Sequence, residues 1–531
     1  VFKYYTTGPY KGLLRVRSET VDLAGTGDTQ YSLHTRYDAY DDHGRPTVIR
    51  DPNDVVTELA YHPRGWLTSR KVDGKETRFS YDGVGQLTRV TLPLRSAENK
   101  ATAYAFEYDA AHRLTDVIQG YVDAPVSETS TFHAVAHLHY ELDAIGNRVA
   151  ESVYDVAGLS GYDVSTLTPR QETGRLYDTL NNLVGLLEGG TTTGTALSHT
   201  RYSYDANGQR TQTIDPRDPA TNPDNATLTQ TNVYDALNRV VRMDAEILNQ
   251  DPLGQWQHDQ TASTYQAHDI LDVLAEVTDP NNAITSYFLN GFGEVEQIQS
   301  DDTGTTTFTY DASGNVTSRE NALLHTTTYE YDSLNRLVRT DYDPLAPRGV
   351  DRVEYAFDDY PGGAPDHRMG RVWRVEEFDS LPSQTADRVL EYSYDARGNV
   401  GSKGAVQLGW DSGQWQSDSV YLIEYEYNEE DALERITYPT HQIGASAHVV
   451  AFDKDAVGRN EKATLTLTHE GEASPSTYTL VKDVEYEPFG GIKAMTHGDV
   501  SNPNRYGPNG ATLATTFGRD RAYRIEDIEV V

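Results

Sequence analysis

YDASGNV, at residues 310–316, is the stretch of sequence that decides the fold, because variants of it recur along almost the whole chain. The repeated phrase is an aromatic residue, an aspartate, two or three turn-forming residues, then an Asn or Arg and an aliphatic residue, and the weaker copies keep only part of it. Most neighbouring copies lie roughly 20 to 37 residues apart, a spacing typical of repeats in which each unit needs its neighbours to bury its apolar face. Clear copies begin at Tyr81, Tyr108, Tyr177, Tyr204, Tyr234, Tyr310, Tyr331 and Tyr394, and weaker ones at Tyr40, Tyr61, Leu142, Tyr287, Tyr427, Phe452 and Tyr486.

The residues that precede each turn predict a β-strand. In TTTFTYDASGNVTSR, residues 305–319, the side chains of Thr306, Phe308 and Tyr310 share one face of an extended segment, because side chains alternate along a strand. β-Branched Thr fills the positions between them, which favours a strand. Residues 337–340 resume as a strand after the next turn, so each copy is predicted to form a β-hairpin with a moderately long turn.

The turn itself is predicted from its Asp and its Gly or Asn. The carboxylate of Asp311 can accept hydrogen bonds from backbone N–H groups just ahead of it, and Gly314 can take a positive φ at low steric cost. Asn238 and Asn335 replace the glycine in other copies, since Asn also visits the left-handed region readily. The predicted structural turn residues are Tyr81, Asp82, Tyr108, Asp109, Tyr204, Asp205, Gly208, Tyr234, Asp235, Asn238, Tyr310, Asp311, Gly314, Tyr331, Asp332, Asn335, Tyr394, Asp395 and Gly398.

These copies resemble the YD-repeat, or Rhs-repeat, family, which includes bacterial Rhs polymorphic toxins, shell components of insecticidal toxin complexes and, more distantly, teneurins. The resemblance covers nearly the whole chain. It implies an all-β fold in which tandem hairpins form one long antiparallel sheet that spirals into a hollow shell or barrel. Physical reasoning alone predicts a long antiparallel array that must curl to protect its edges.

Composition agrees with a repeat sheet. The 531 residues show no linker or compositional break, so residues 1–531 are predicted to form a single YD-repeat β-shell region, a segment of a longer chain. The chain has 36 Tyr and 12 Phe, which suits a wet sheet face where a ring packs while its hydroxyl reaches water. It has no cysteine, which favours a bacterial protein over a disulfide-rich animal ectodomain.

Net charge bounds the partners. The formal charge is −36, and such a field repels nucleic acid and anionic lipid, so neither is predicted as a partner. No apolar run approaches the length of a membrane span, and no signal peptide is visible. A secreted or cell-surface location in bacteria is predicted from the family resemblance. The sequence sets no oligomeric state.

The only cluster with ligand chemistry is FHAVAHLHYEL, residues 132–142. His133, His137, His139 and Glu141 would share one face of a strand, and imidazoles at alternate positions can meet a metal ion. A solvated or lumen-facing strand explains the same row, and no helix or loop is predicted to bring further ligands. No phosphate-binding loop, zinc-protease or nucleophile-elbow motif is present, so no catalytic residue, cofactor or metal is predicted.

The predicted function is therefore architectural. The family resemblance implies a non-enzymatic shell that encloses a C-terminal toxin domain of the same protein. One alternative is a surface adhesin or extracellular scaffold, with carbohydrate binding by stacked tyrosines, and another is an enzyme acting on polysaccharide. Structural calcium at the aspartate turns is disfavoured, because one Asp per turn is explained by turn hydrogen bonding and the spacing matches no calcium loop.

Overall fold

The computed structural model describes residues 1–21, 31–127, 129–190, 196–215, 228–250, 256–343, 350–358, 367–379, 386–411, 414–439, 448–467, 475–498, 513–519 and 524–530. These residues form β-strands and turns, and their one helix is a single 3₁₀ turn, Val164–Thr166. None of the described residues forms a helix long and apolar enough to cross a membrane.

The strands are short and follow one another closely along the chain. The first are β1 (Phe2–Tyr4), β2 (Leu14–Val21), β3 (Tyr31–Tyr40), β4 (Pro46–Arg50), β5 (Val56–Tyr61), β6 (Leu67–Val72), β7 (Lys75–Tyr81), β8 (Leu87–Thr91), β9 (Lys100–Tyr108), β10 (Leu114–Asp123), β11 (Phe132–Leu142) and β12 (Arg148–Asp155). Next come β13 (Gln171–Tyr177), β14 (Leu183–Glu188), β15 (Ser198–Tyr204), β16 (Arg210–Asp215), β17 (Leu228–Tyr234), β18 (Val240–Gln250), β19 (Trp256–His268), β20 (Leu274–Thr278), β21 (Ile284–Leu289), β22 (Val295–Ser300), β23 (Gly304–Tyr310), β24 (Val316–Glu320), β25 (Thr326–Tyr331) and β26 (Leu337–Tyr342). The last are β27 (Arg352–Phe357), β28 (Val372–Phe378), β29 (Arg388–Tyr394), β30 (Val400–Asp411), β31 (Gln414–Tyr427), β32 (Leu433–Tyr438), β33 (His448–Lys454), β34 (Asn460–Leu467), β35 (Ser476–Tyr486), β36 (Ile492–His497), β37 (Leu513–Arg519) and β38 (Ile525–Val530).

All of these strands belong to one sheet of 38 strands. Each strand pairs antiparallel with the next one along the chain, from β1 with β2 to β37 with β38. The sheet is thus a continuous meander of hairpins, and the predicted all-β antiparallel fold is confirmed.

In many of the turns, the aspartate accepts hydrogen bonds through both carboxylate oxygens. In the turn at 311–315, Asp311 Oδ1 accepts from the backbone N–H groups of Ser313, at 2.8 Å, and Asn315, at 3.0 Å, while Gly314 has a φ of 84°. Asp311 Oδ2 accepts from the side-chain amide of Asn315 at 2.9 Å. This second bond explains why Asn or Arg stands four residues after the aspartate.

Where that position is Arg, its guanidinium makes the same contact. Arg336 Nε donates to Asp332 Oδ2 at 2.7 Å, and the turn residue Asn335 has a φ of 60°. The other predicted turn residues behave alike: φ is 80° at Gly208, 64° at Asn238 and 97° at Gly398. Matching Asp–Arg bonds join Asp41 to Arg45, Asp109 to Arg113, Asp235 to Arg239 and Asp455 to Arg459, and matching Asp–Asn bonds join Asp143 to Asn147, Asp178 to Asn182 and Asp395 to Asn399.

The repeat tyrosine connects consecutive hairpins. Tyr310 donates its hydroxyl to the backbone carbonyl of Val295, the first residue after the preceding turn, at 2.7 Å. The same bond recurs from Tyr61 to Pro46, Tyr108 to Leu87, Tyr204 to Leu183, Tyr234 to Arg210, Tyr394 to Val372 and Tyr486 to Asn460. The composition predicts that tyrosine hydroxyls reach water, whereas these hydroxyls satisfy a backbone acceptor, which accounts for Tyr rather than Phe.

One weaker copy keeps this bond without a tyrosine. In FDKDAVGRN, the residue before Asp455 is Lys454, and its ammonium donates to the backbone carbonyl of Leu433 at 2.6 Å. The carbonyl lies just after the preceding turn, as in the tyrosine copies. A charged donor therefore replaces the tyrosine hydroxyl at the same junction between hairpins.

The sheet coils back on itself. Asn53 Nδ2 donates to the carbonyl of Met369 at 3.1 Å, and the Met369 N–H donates to Asn53 Oδ1 at 2.8 Å, across 316 residues of chain. Arg95 donates to the carbonyl of Ala456, 361 residues away, and Arg170 lies 3.9 Å from Glu487. Later hairpins thus lie beside earlier ones, and we call the contacts between residues 53–170 and residues 369–487 the seam. They give the sheet the predicted spiral course.

Candidate functional site

The seam is built around one buried arginine. Arg95 follows β8 in the loop before β9, and it is the largest fully buried side chain of the described residues. A guanidinium has five N–H donors and no acceptor, so burial requires an acceptor for each donor. Residues from both sides of the seam supply these acceptors.

The contacts of Arg95 are divided between the two sides. On its own side, Nε donates to Glu98 at 3.3 Å and one terminal nitrogen donates to Thr102 at 2.6 Å. From the later side, Glu430 accepts at 2.8 Å and the backbone carbonyls of Asp455 and Ala456 accept at 3.2 and 2.9 Å. The guanidinium therefore holds two turns of the spiral together.

Glu430 completes this network from the later side. It accepts from the Thr102 backbone N–H at 2.8 Å and from the Thr102 hydroxyl at 2.9 Å, in addition to Arg95. Next to it, Glu429 accepts from the Ser96 hydroxyl at 2.6 Å. Burial would raise the pKa of Glu429, but the hydrogen bonds from Ser96 hold it below its usual value. Two consecutive carboxylates thus anchor the later turn on the earlier one.

A second cluster lies on the neighbouring strands β10 and β11. Asp116 stands across from His139 and beside Ile118, which stands across from His137. One oxygen of Asp116, Oδ1, lies 2.7 Å from His137 Nε2 and 2.7 Å from His139 Nδ1. His137 and Asp116 are buried, while His139 is partly exposed. The structure therefore brings together two of the four predicted residues and adds Asp116.

His133 and Glu141 lie apart from this cluster. The pairing of β10 with β11 shifts by one residue between Gln119 and Gly120, which places an extra residue of β11 in the ladder and breaks the simple alternation. His133 lies on the far side of this bulge, stacks on Tyr121 with ring centroids 4.9 Å apart and has its Nε2 3.2 Å from Asp123. Glu141 is exposed.

Gly120 allows the bulge. A Cβ built on Gly120 would lie 2.1 Å from the carbonyl oxygen of His133, a distance that no side chain tolerates. A glycine inside a strand pattern is a known signal for a bulge or a close backbone approach. The sequence VIQGYV around Gly120 therefore held the information that separates His133 from His137 and His139.

A loop also reaches this cluster, although none was predicted to. The segment after β12 carries Tyr162, whose hydroxyl lies 3.0 Å from His137 Nδ1. Burial raises the pKa of Tyr162 to about 12, so the phenol is protonated. Burial would also raise the pKa of Asp116, but the hydrogen bonds from His137 and His139 hold it well below its usual range. The bond to Asp116 raises the pKa of His139.

Comparison with known proteins finds a family that matches two segments of the chain. The RHS repeat family matches residues 40–74 and 310–344, each of which contains a hairpin turn with the aspartate geometry described above. The chain carries RHS repeats. No curated protein matches it.

Solved structures show the same fold over nearly the whole chain. A crystal structure of TcdB2-TccC3 matches 97% of this chain with 13% sequence identity and a TM-score of 0.60. The crystal structure of TcdB2-TccC3 without its hypervariable C-terminal region matches 97% of this chain with 12% sequence identity and a TM-score of 0.61. The structure of a Photorhabdus luminescens Tc holotoxin pore matches 94% of this chain with 13% sequence identity and a TM-score of 0.65. The RHS-repeat chain spans only 30 to 31% of those chains. At these identities the likeness shows the fold alone.

The histidine cluster of the RHS-repeat sheet faces a cavity of about 1060 Å³. Asp116, His133, His137, His139 and Tyr162 line it from the earlier turn, and residues 455–457 line it from the later turn. The cavity is therefore part of the seam, and Arg95 binds the same 455–456 segment through its carbonyls. Chemically, the cluster offers two imidazoles and one carboxylate that converge on a single point.

Sequence reasoning missed Arg95, Glu430, Asp116 and Tyr162. The loop around Arg95, PLRSAENK, departs from the repeat phrase, and that departure is the only local signal it carries. Nothing near Arg95 in the sequence points to Glu430, because the two residues meet only after the sheet has completed a turn.

Proposed function

We propose that this chain is a non-enzymatic section of the wall of a shell in a secreted or cell-surface bacterial RHS-repeat protein, which encloses a toxin segment of the same protein. The observation that carries the proposal is the seam. A sheet that only formed a scaffold needs contacts between neighbouring hairpins, whereas a wall must also join each turn of the spiral to the next.

The polar character of the seam supports this role. Arg95, Glu430 and Thr102 join the turns through charged and directional hydrogen bonds, which specify how the two turns align. The pair Asn53 and Met369 fixes the alignment at a second point. Fold likeness to TcdB2-TccC3 over 97% of the chain supports the same architecture.

The repeat residues support a structural rather than catalytic role. The Asp, the Gly or Asn, the following Asn or Arg and the Tyr each make a bond that forms a turn or joins two hairpins. The hydroxyls of these tyrosines are engaged with backbone carbonyls, which favours the wall over a surface adhesin with a carbohydrate-binding platform of stacked rings.

Limited proteolysis of the full-length gene product tests the proposal. In the intact protein, the segment that follows the repeats should resist added protease, and a version without this region should lose that segment rapidly. Asn53→Ala removes two hydrogen bonds across the seam without burying a charge. It should increase the cleavage rate of the enclosed segment.

A matched control variant distinguishes the loss of seam contacts from a general loosening of the sheet. Asn207→Ala removes a bond of 3.2 Å to Asn238, which joins two consecutive turns away from the seam. It should leave the protection unchanged. Equal cleavage of the segment with and without the repeats would exclude enclosure, and binding of the isolated chain to an oligosaccharide array would then support the adhesin.

A further inference from the structure

We propose that Asp116, His137 and His139 bind one divalent transition-metal ion, zinc being the best match, at the seam beside the cavity. The inference concerns a site within the sheet and does not depend on whether the sheet encloses a toxin. Its basis is the convergence of three ligand atoms, Asp116 Oδ1, His137 Nε2 and His139 Nδ1, all within 4.8 Å of one another.

The distances need little change to accommodate an ion. Zinc bonds to imidazole nitrogen and carboxylate oxygen are about 2.0 to 2.2 Å long, so ligand atoms on one tetrahedral ion lie about 3.3 Å apart. Both histidine nitrogens lie 2.7 Å from the Asp116 oxygen. Small side-chain rotations that widen these distances by about half an ångström create the site.

The protein already holds the ligands in place. Asp116 and the two histidines stand on adjacent strands, with His139 directly across from Asp116, and strands position a site more rigidly than loops do. Tyr162 contacts the second nitrogen of His137 at 3.0 Å. A partner on the far nitrogen of a ligating histidine is the usual second layer of a metal site, because it fixes the ring orientation and the tautomer.

The chemistry of the ligands selects the metal. Calcium and magnesium prefer sets of oxygen ligands, whereas two imidazoles and one carboxylate suit zinc and its first-row neighbours. The cavity of about 1060 Å³ beside the cluster leaves space for a water molecule as fourth ligand. The acidic net charge of −36 further favours a cation over an anion.

A hydrogen-bonded triad without metal is the competing explanation. In it, His137 Nε2 and His139 Nδ1 both donate to Asp116 and the Tyr162 hydroxyl donates to His137 Nδ1. Metal binding distinguishes the two. The purified 531-residue chain, freed of metal with a chelator, is titrated with Co²⁺ and then Zn²⁺, and the cobalt absorption bands report the coordination geometry.

Zinc affinities of single variants distinguish the metal ligands from neighbouring residues that do not bind the ion. His139→Gln and Asp116→Asn should each weaken zinc binding by more than about 100-fold, and Tyr162→Phe by about 10- to 100-fold, as expected for a second-layer partner. His133→Gln is the matched control, since His133 lies on the same strand but pairs with Asp123. It should bind zinc like the unchanged chain.

Circular dichroism of each variant checks that the sheet is intact, and Tyr162→Phe tests the site without touching a ligand if the ligand variants unfold. Zinc at saturating concentration should also raise the melting temperature of the unchanged chain and of His133→Gln, but not of His139→Gln. The proposal is overturned if the unchanged chain gives no cobalt bands, or if His133→Gln loses as much zinc affinity as His139→Gln.

Discussion

Two regions of the sheet differ in how they are stabilised. Residues 274–342, from β20 to β26, have strands of five to seven residues, and within this stretch only Asp332 and Thr340 are buried. Residues 100–155, from β9 to β12, have strands of eight to eleven residues with many buried side chains, among them Ala101, Ala103 and Val122. The first region is built from contacts between neighbouring hairpins, and the second also packs at the seam.

The difference shows that two kinds of information specify this fold. A hairpin in residues 274–342 needs only its own turn and the next tyrosine, as Asp311 and Tyr310 illustrate. The region around β9 and β10 needs partners more than 300 residues away, such as the Arg95 contact with Glu430 over 335 residues. The repeated hairpin residues specify the sheet, whereas residues outside the repeat phrase, such as Arg95, specify where successive turns of the spiral contact each other.

Acidification has the largest expected effect, because it acts on turns in both regions at once. Hydrogen bonds from the Asn315 side chain and backbone lower the pKa of Asp311, and those from Gln86 and Arg113 lower the pKa of Asp82 and Asp109. A depressed pKa contributes stability above the unfolded value, about 3.9, that is lost as pH falls through the folded value. Desolvation would raise the pKa of Asp41, but hydrogen bonds from Arg45 lower this pKa to about 2, and this value sets the lower end of the pH range over which stability is lost.

Stability should therefore fall steadily from about pH 4 to about pH 2. Urea denaturation followed by circular dichroism at a series of pH values measures this loss. Asp311→Asn should make the local protease sensitivity of its hairpin less dependent on pH. A denaturation midpoint that is constant down to about pH 2 would show that the turn carboxylates are not linked to folding.

The local part of this structure could be predicted from sequence, and the non-local part could not. The period-two strand, the Asp311 turn and the positive φ of Gly314 all depend on residues within a few positions of one another. The partner of Arg95 depends on the number of hairpins in one turn of the spiral, which no single repeat encodes. Simple side-chain alternation predicts that His133 shares a face with His137, but the bulge between these two residues interrupts the alternation.

Arg95→Met should have the largest effect of a single substitution, and it should act on the seam region alone. Glu430 would keep a buried carboxylate, with its side chain 6% exposed, after losing its cationic partner. Removing one member of a buried pair costs about 3 to 5 kcal/mol. New cleavage sites in native-state proteolysis should appear near residues 91–102 and 428–459, while the hairpins of residues 274–342 stay protected.

Two further variants test whether the effect of Arg95→Met comes from the buried ion pair. The double variant Arg95→Met/Glu430→Gln should recover part of the loss, because it removes the unpaired charge. Arg242→Met breaks a partly exposed pair with Asp244 at 3.0 Å and should cost about 0 to 1 kcal/mol. A loss of protection in residues 274–342 with Arg95→Met would mean that the two regions unfold together.

Gly314→Val should destabilise residues 274–342 and leave the seam region unchanged, the reverse of the effect expected for Arg95→Met. Val is strained at a φ of 84°, so the substitution should cost about 1 to 3 kcal/mol. The damage should stay in the neighbouring hairpins, since repeat stability is a sum of local and nearest-neighbour terms. Gly83→Val is the control, because Gly83 has no positive φ and a Cβ there meets nothing within 4 Å. Protease sensitivity at the seam after Gly314→Val would contradict local action.

Tyr310→Phe should have the smallest effect and isolates the connection between two consecutive hairpins. It removes only the hydroxyl that donates to the Val295 carbonyl at 2.7 Å, so the expected cost is about 0.5 to 1.5 kcal/mol. Hydrogen exchange of β22 and β23 should speed up while exchange of β9 and β10 does not change. Tyr265→Phe, at a half-exposed ring in β19, provides the control for removing a hydroxyl. If both variants behave alike, the tyrosine contributes through its ring, and the ammonium of Lys454 at the equivalent junction would need another explanation.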